Sequence, residues 1–189
     1  MITVQQQGAG RGADPDRGHL AVRVLGIVWG IGGIAAVLAY AAISLSRYAR
    51  DALVAGLGPA EVLALVVNTV FMAWAEGYRG FQQRFSPRVA ARALNLYLRP
   101  TVPRLVFAPL FCAGFFGATA RLQRTIWIGT ALIVLAVLVF NQLPQPWRGI
   151  LDAGVLVGLV WGTASLLWAA WATFRDRREI VPAEVSPGI

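Results

Sequence analysis

Few side chains in this sequence could carry acid–base, nucleophilic or metal chemistry. The 189 residues include one cysteine, Cys112, and one histidine, His19, which is too small a set for a disulfide framework or a Cys/His metal site. The sequence contains no recognisable Ser-His-Asp set, paired-carboxylate site or phosphate-binding glycine loop. It therefore predicts a protein that is not an enzyme and that uses no metal and no cofactor.

The best polar candidates follow an apolar stretch, VLALVVNTVFMAWA, which ends immediately before Glu76. Asn68 precedes Glu76 by eight residues and Arg79 follows it by three, so on an α-helix the three would share a broad face. An ionisable group at the centre of a membrane helix costs about 2.5–3.5 kcal/mol of insertion free energy, so such a group is a candidate functional residue. One hypothesis is a polar pathway in which Glu76 binds or relays a cation. We favour the other, a Glu76–Arg79 salt bridge at the membrane edge, where the energetic cost is small.

The longest connection between apolar runs, residues 76–104, contains a predicted short amphipathic helix near 87–99. Ser86 and Pro87 are typical of a helix start, because Ser caps unpaired N–H groups and Pro fits the first helical position. Pro100 predicts its end. The pattern favours a helix that lies at the membrane surface.

The polar face of this helix carries three candidate contacts for anionic lipid headgroups or for an acidic loop of a partner, namely Arg88, Arg92 and Arg99. With Asn95 they follow one another at steps of four, three and four residues, which places them on one side. The alternative is a solvated basic face that follows from the enrichment of arginine in cytoplasmic loops, and we give this alternative more weight.

Long apolar runs must position these residues. The chain is 57% hydrophobic and 14% charged, whereas a soluble domain carries about 25% charged residues. A membrane span needs about 20 mainly apolar residues. The sequence predicts four spans, at roughly 24–46, 60–75, 125–143 and 150–174.

These spans predict an all-α fold, a polytopic transmembrane helical bundle. The bundle is expected to form a single transmembrane domain over residues 20–176. Residues 1–19 are polar and rich in Gly and Arg, which indicates a disordered cytoplasmic tail. Residues 177–189 are predicted to form a second cytoplasmic tail.

A fifth hydrophobic segment, residues 105–120, decides the predicted topology. It is marginal for a span, which takes about 17–25 residues. If it does not cross, 14 of the 17 arginines lie on one side and only Arg47, Arg50 and Arg148 lie on the other. Such asymmetry favours four spans with both termini cytoplasmic and a re-entrant or interfacial segment. A short, tilted fifth helix is the alternative.

Glycines on two of the spans indicate close helix packing. The last span carries Gly154, Gly158 and Gly162 at intervals of four residues, and the first carries Gly26 and Gly30. Such faces let another backbone approach closely. We expect the two faces to pack, either against each other within the chain or against another copy.

The arrangement favours a non-enzymatic accessory, assembly or scaffold subunit of the bacterial inner membrane. The alternative is a small oligomeric transporter or channel with Asn68, Glu76 and Arg79 near its pathway. The expected partners are membrane lipids and either another membrane protein or a second copy. Nucleic acid is not expected, because the arginines flank apolar segments and do not alternate with stacking aromatic residues.

Overall fold

The computed structural model describes residues 15–176 and 182–185, with side chains from Leu20 onward; the N-terminal tail predicted over 1–19 thus lies mostly outside the described residues. Described elements outside turns are helical, apart from one isolated bridge between Ala118 and Val185. The helices are α1 (Pro15–Ala55), α2 (Pro59–Met72), a π-helical segment (Ala73–Phe85, the π segment), α3 (Ser86–Leu98), α4 (Val102–Val106), α5 (Ala108–Ala113), α6 (Ala120–Phe140) and α7 (Trp147–Asp176).

Four continuous helices are long and apolar enough to cross a membrane. Two of them are α6 and α7, the third is α1 from Leu20 to Ala55, and the fourth joins α2, the π segment and α3. Runs of apolar residues with few charges favour such helices because every backbone N–H and C=O is paired inside the helix. The prediction of an all-helical protein with four membrane-length helices is confirmed.

The segment over residues 105–120 forms no fifth helix of that length. It contains the end of α4 and all of α5, which has six residues and is therefore about 9 Å long, against about 30 Å for the hydrocarbon core. The chain then turns at Gly114 and Gly117, whose φ angles of 97° and 61° suit glycine best.

Helix α7 lies at the centre of the packed bundle, between α1 and the long helix that contains α2, the π segment and α3. Its glycines receive side chains of that long helix in order along the interface: Gly154 meets Asn68 and Met72, Gly158 meets Glu76, and Gly162 meets Phe81. At the last of these contacts, a Cβ on Gly162 would lie 2.6 Å from Cγ of Phe81. The glycines are thus required for this close approach.

The π segment adjusts the register of this interface. The α7 glycines repeat every four residues, whereas Glu76 and Phe81, which fill the last two positions, are five residues apart. A π-helix closes its turn with i→i+5 bonds and is wider than an α-helix, so residues five apart return to the same side. The wider turn therefore brings Phe81 to Gly162.

The glycines of α1 pack against the short helices instead. A Cβ on Gly26 would lie 2.5 Å from Leu105, and one on Gly30 would lie 2.9 Å from Sγ of Cys112. The expectation that the two glycine faces pack against each other was therefore wrong, although both are covered within the chain. Each face accommodates protruding side chains or a short helix, which fill the space that a second glycine face would leave empty.

Helix α6 stands apart from this packing. Of its 21 residues only Leu122 is buried. Its contacts lie in the first two turns, where Leu122 and Ile126 approach Gly114 and the ring of Trp127 lies 5.2 Å from that of Phe115. From residue 123 to residue 140 no side chain of α6 is buried.

Contacts between distant residues define the two ends of the bundle. At one end the guanidinium of Arg23, near the start of α1, lies 6.0 Å from the ring of Tyr97, near the end of α3. At the other end the guanidinium of Arg148, at the start of α7, lies 3.6 Å from the ring of Tyr48, toward the end of α1. The 182–185 segment lies at the α6 start, because the Thr119 N–H donates to its backbone.

Candidate functional site

Helix α3 lies inside the protein, which corrects the prediction of a helix on the membrane surface. Eight of its thirteen residues are buried, and Arg92 is among them with 1% of its surface exposed. The predicted lipid or partner contact at Arg92 is therefore inaccessible in this fold. The error has a clear cause: the segment after α5 and residues 182–185 cover Arg92, which the helical pattern assigns to a solvent-facing side.

The guanidinium of Arg92 lies among backbone carbonyls, within a set of contacts that we call the carbonyl cage. It donates hydrogen bonds to the carbonyl oxygens of Phe111 (2.7 Å), Phe116 (2.8 Å), Ala183 (3.2 Å), Glu184 (3.3 Å) and Gly117 (3.4 Å). Cζ of Arg92 also lies 4.3 Å from the centre of the Phe111 ring. Two of these five carbonyls, those of Phe116 and Gly117, belong to the turn that follows α5.

The carbonyl cage supplies hydrogen-bond donors to backbone carbonyls of the turn after α5. Irregular backbone is tolerated at membrane depth only where it is buried in protein or lines water, because each unpaired polar group is costly. The neighbouring helix α5 packs against Gly30, which is inside the first apolar run. The five donors of an arginine side chain can pair several carbonyls at once. Arg92 therefore holds together α3, the turn and the 182–185 segment.

Arg104 is a second buried arginine that the sequence analysis did not single out. It is 4% exposed, and its Cζ lies 5.0 Å from the ring centre of Phe111. The Phe111 ring thus faces two guanidinium groups, an arrangement stabilised by attraction between cations and the aromatic face. No local signal distinguishes Arg104 from the exposed arginines of the same connection.

The other two arginines predicted on the α3 face are separated from Arg92. Arg99 is exposed, just after α3. Arg88 is half-buried and donates its Nε–H to the Arg84 carbonyl at 2.7 Å. It also lines a cleft of about 490 Å³, which we call the basic cleft, together with Thr119, Arg121, Leu122, Thr125 and Glu184.

The polar face proposed around Glu76 forms only in part. The side-chain N–H of Asn68 donates to the carbonyl of Ile150 at 2.8 Å, and the carboxyl of Glu76 lies against Gly158 on the same face of α7. Arg79 does not join them. Its side chain is exposed, with Cζ 4.9 Å from the Trp74 ring.

The predicted Glu76–Arg79 salt bridge is therefore wrong: no ion pair joins the two side chains. Residues three apart lie on neighbouring positions of an α-helix, and the prediction assumed one. Both residues belong to the π segment, whose wider turn separates positions three apart. Among the described side chains, an ion pair joins Arg148 and Asp152 instead, with 3.7 Å between Nε and Oδ2.

Across residues 15–176 and 182–185, no three His, Cys, Asp or Glu side chains are grouped closely enough to hold a metal ion. Among the residues predicted as polar sites, Arg92 and Arg88 belong to the carbonyl cage and the adjoining basic cleft, and Asn68 and Glu76 lie against α7. Comparison with known proteins finds no matching family, no similar curated protein and no similar solved structure.

Proposed function

We propose that this protein is a non-enzymatic integral membrane protein that serves as an accessory, assembly or scaffold subunit, and that α6 packs against a transmembrane helix of a different membrane protein. The observation that supports this proposal is the isolation of α6, with one buried residue among 21. The other two membrane-length helices pack around α7, so α6 adds little to the packing of its own bundle.

Association between helices in a membrane depends on close packing, since lipid tails are as apolar as leucine. Helix α6 offers a small-residue position for such packing at Gly129, where a Cβ would meet nothing within 4 Å. Thr125 lies one turn earlier and is exposed. The glycine faces of α1 and α7 described above are already covered within the chain, whereas the face of α6 at Gly129 is open.

Charge favours a different protein over a second copy. Arg121 and Arg124 are both exposed in the first turns of α6. Two copies related by an axis along the membrane normal would bring these arginines together, and like charges repel. A partner helix with acidic residues at the same level would attract them.

We further propose the bacterial inner membrane as the location, with both termini on the cytoplasmic side. Two contacts of α3 place the start of α1 and the 182–185 segment at the same end of the bundle. Tyr97 of α3 lies beside Arg23 of α1, and Arg92 of α3 donates to the carbonyl of Ala183. Most arginines then fall at that end, and Arg47, Arg50 and Arg148 fall at the other. Enrichment of arginine on the cytoplasmic side supports this orientation.

The test is photo-crosslinking in intact membranes. A photoreactive residue replaces Leu132 or Leu135 on α6, both exposed, and matched controls replace Val66 or Val70 on the exposed side of α2. We expect discrete adducts with one other membrane protein from α6 and none from α2. Gly129→Leu should weaken this adduct, while Val66→Leu should leave it intact. Adducts with a second copy would contradict the choice of partner, and adducts with lipid alone would contradict the subunit role.

A transport role is the second candidate, and one observation favours it. The carboxyl of Glu76 lies half-buried against α7 and forms no ion pair with a described side chain, although a charge at that depth is costly. Asn68 lies on the same interface. Arg79 faces away, so a pathway through all three residues would need a rearrangement of the π segment.

A further inference from the structure

The geometry points to the basic cleft as a binding site for a phosphate group, carried either by an anionic lipid headgroup or by a small phosphate-bearing molecule. This inference goes beyond the role proposed for α6 and is tested separately from it. It rests on two arginines, a threonine and the first turn of α6 around one cleft, and on a carboxylate of the chain that already lies there.

The cations of the cleft come from two different helices. Arg88 belongs to α3 and Arg121 to α6, and both line the cleft. The Nε–H of Arg88 donates to the carbonyl oxygen of Arg84, so the two terminal amino groups of Arg88 remain for a ligand. Arginine matches the geometry of phosphate oxygens and often binds them through two parallel hydrogen bonds.

The first turn of α6 supplies further donors. Thr119 is the N-cap residue, and its side chain forms no capping hydrogen bond. The first N–H of α6 that pairs within the helix belongs to Gln123, and it donates to the carbonyl oxygen of Thr119. The N–H groups of residues 120–122 therefore have no acceptor in the helix, and such groups together with the helix dipole favour an anion. The Thr125 hydroxyl already donates its hydrogen to the carbonyl oxygen of Arg121, so toward a ligand it can only accept a hydrogen bond.

Glu184 places a carboxylate of the chain at the cleft. The residue lines the cleft, and its negative charge is close enough to act on Arg88 and on the buried Arg92. Its backbone φ is 47°, which residues other than glycine rarely adopt, and its carbonyl oxygen accepts hydrogen bonds from the Thr119 N–H and from Arg92. The Glu184 side chain is exposed and can move aside, so a phosphate would take its place beside Arg88 and Arg121.

The experiment uses the full chain in nanodiscs of neutral phosphatidylcholine. One arm titrates inorganic phosphate and measures heat. The other replaces part of the neutral lipid with phosphatidylglycerol and counts bound anionic lipid by native mass spectrometry. Binding in the first arm identifies a site for free phosphate, and binding only in the second identifies a lipid headgroup; either result supports the site when it depends on the cleft residues.

Four variants establish that dependence. We expect Arg121→Gln and Arg88→Gln to weaken binding about tenfold, as for the loss of a hydrogen bond to a charged group. Glu184→Gln should strengthen binding, because it removes the competing carboxylate. The matched control is Arg124→Gln, which makes the same charge change three residues further along α6, outside the cleft lining, and should bind as the unaltered protein does.

The inference is overturned if the unaltered protein binds neither probe. It is also overturned if Arg121→Gln and Arg124→Gln weaken binding equally, since the effect would then come from net charge alone. Because Arg121 is exposed, its variant remains informative even if Arg88→Gln fails to fold. Thermal unfolding of each variant without phosphate identifies such a failure.

Discussion

Arg92 donates its Nε–H to the carbonyl oxygen of Phe111 at 2.7 Å and lies 4.3 Å from the centre of the ring of the same residue. One phenylalanine is therefore held through both its backbone and its side chain. The Phe111 side chain is fully buried, and its neighbours Ala108 and Cys112 belong to the same hydrophobic core. The polar and apolar parts of the bundle meet at this pair, so a change at Arg92 should affect both.

Replacing Arg92 by leucine should lower the free energy of unfolding by about 3 kcal/mol or more, because each buried carbonyl left without a donor costs about 1–3 kcal/mol. Arg92→Lys should cause a smaller loss, since the ammonium keeps the charge but cannot reach all five carbonyls. Thermal or denaturant unfolding in mild detergent measures both. Arg99→Leu, at an exposed position, is the control and should have little effect. Equal stability of the Arg92 and Arg99 variants would contradict the carbonyl cage.

Gly162→Ala should destabilise the bundle by about 1–3 kcal/mol, because the added methyl group meets the Phe81 ring on the π segment. Gly32→Ala is its matched control on α1. A Cβ at Gly32 meets nothing within 4 Å, so alanine there should be neutral or stabilise by about 0.5–1 kcal/mol through a lower backbone entropy cost. The melting temperature should fall for Gly162→Ala and should stay the same or rise for Gly32→Ala. An unchanged or raised melting temperature for Gly162→Ala would mean that Phe81 does not approach α7 as described.

Glu76→Gln should fold, insert and unfold nearly as the unaltered protein does. The amide keeps the shape of the carboxyl against Gly158, and there is no Arg79 ion pair to lose. Liposome flux at several pH values and unfolding in detergent together test this expectation. If the variant remains fully folded but loses a pH-dependent flux, transport becomes the better description of the protein.

Single added cysteines test the proposed orientation in intact cells. A membrane-impermeant maleimide should label Val54→Cys, which is 78% exposed at the end of α1, but should not label Ala21→Cys or Asp176→Cys until the cells are opened. Cys112 is 1% exposed and should stay unlabelled while the protein is folded, so it needs no replacement. Labelling of Ala21→Cys and Asp176→Cys from opposite sides would contradict the orientation.

The sequence was sufficient for the four long helices because apolar length is a local property that each segment carries alone. It was insufficient for Arg92, whose partners include Ala183, 91 positions further along the chain. Helical periodicity placed that residue on a polar face, but only the tertiary structure shows what covers the face. The predicted salt bridge between Glu76 and Arg79 was wrong for a different reason. Spacing arguments assume α-helical turns, and nothing in the local composition indicates a π-helix.

The distance in sequence between Arg92 and the 182–185 segment also affects how the protein is made. At roughly 5–20 residues per second, a ribosome needs about 5–18 s to synthesise the residues between Arg92 and Ala183. During that interval α3 has emerged, but two of the carbonyls that will surround its guanidinium have not been made. Until residues 183 and 184 are made, Arg92 can pair only with the carbonyls of Phe111, Phe116 and Gly117. The arginine-rich end of the bundle therefore closes only after α7 has been made, and a ribosome stalled within α7 would leave a partly assembled membrane protein in which Arg92 has three of its five carbonyl partners.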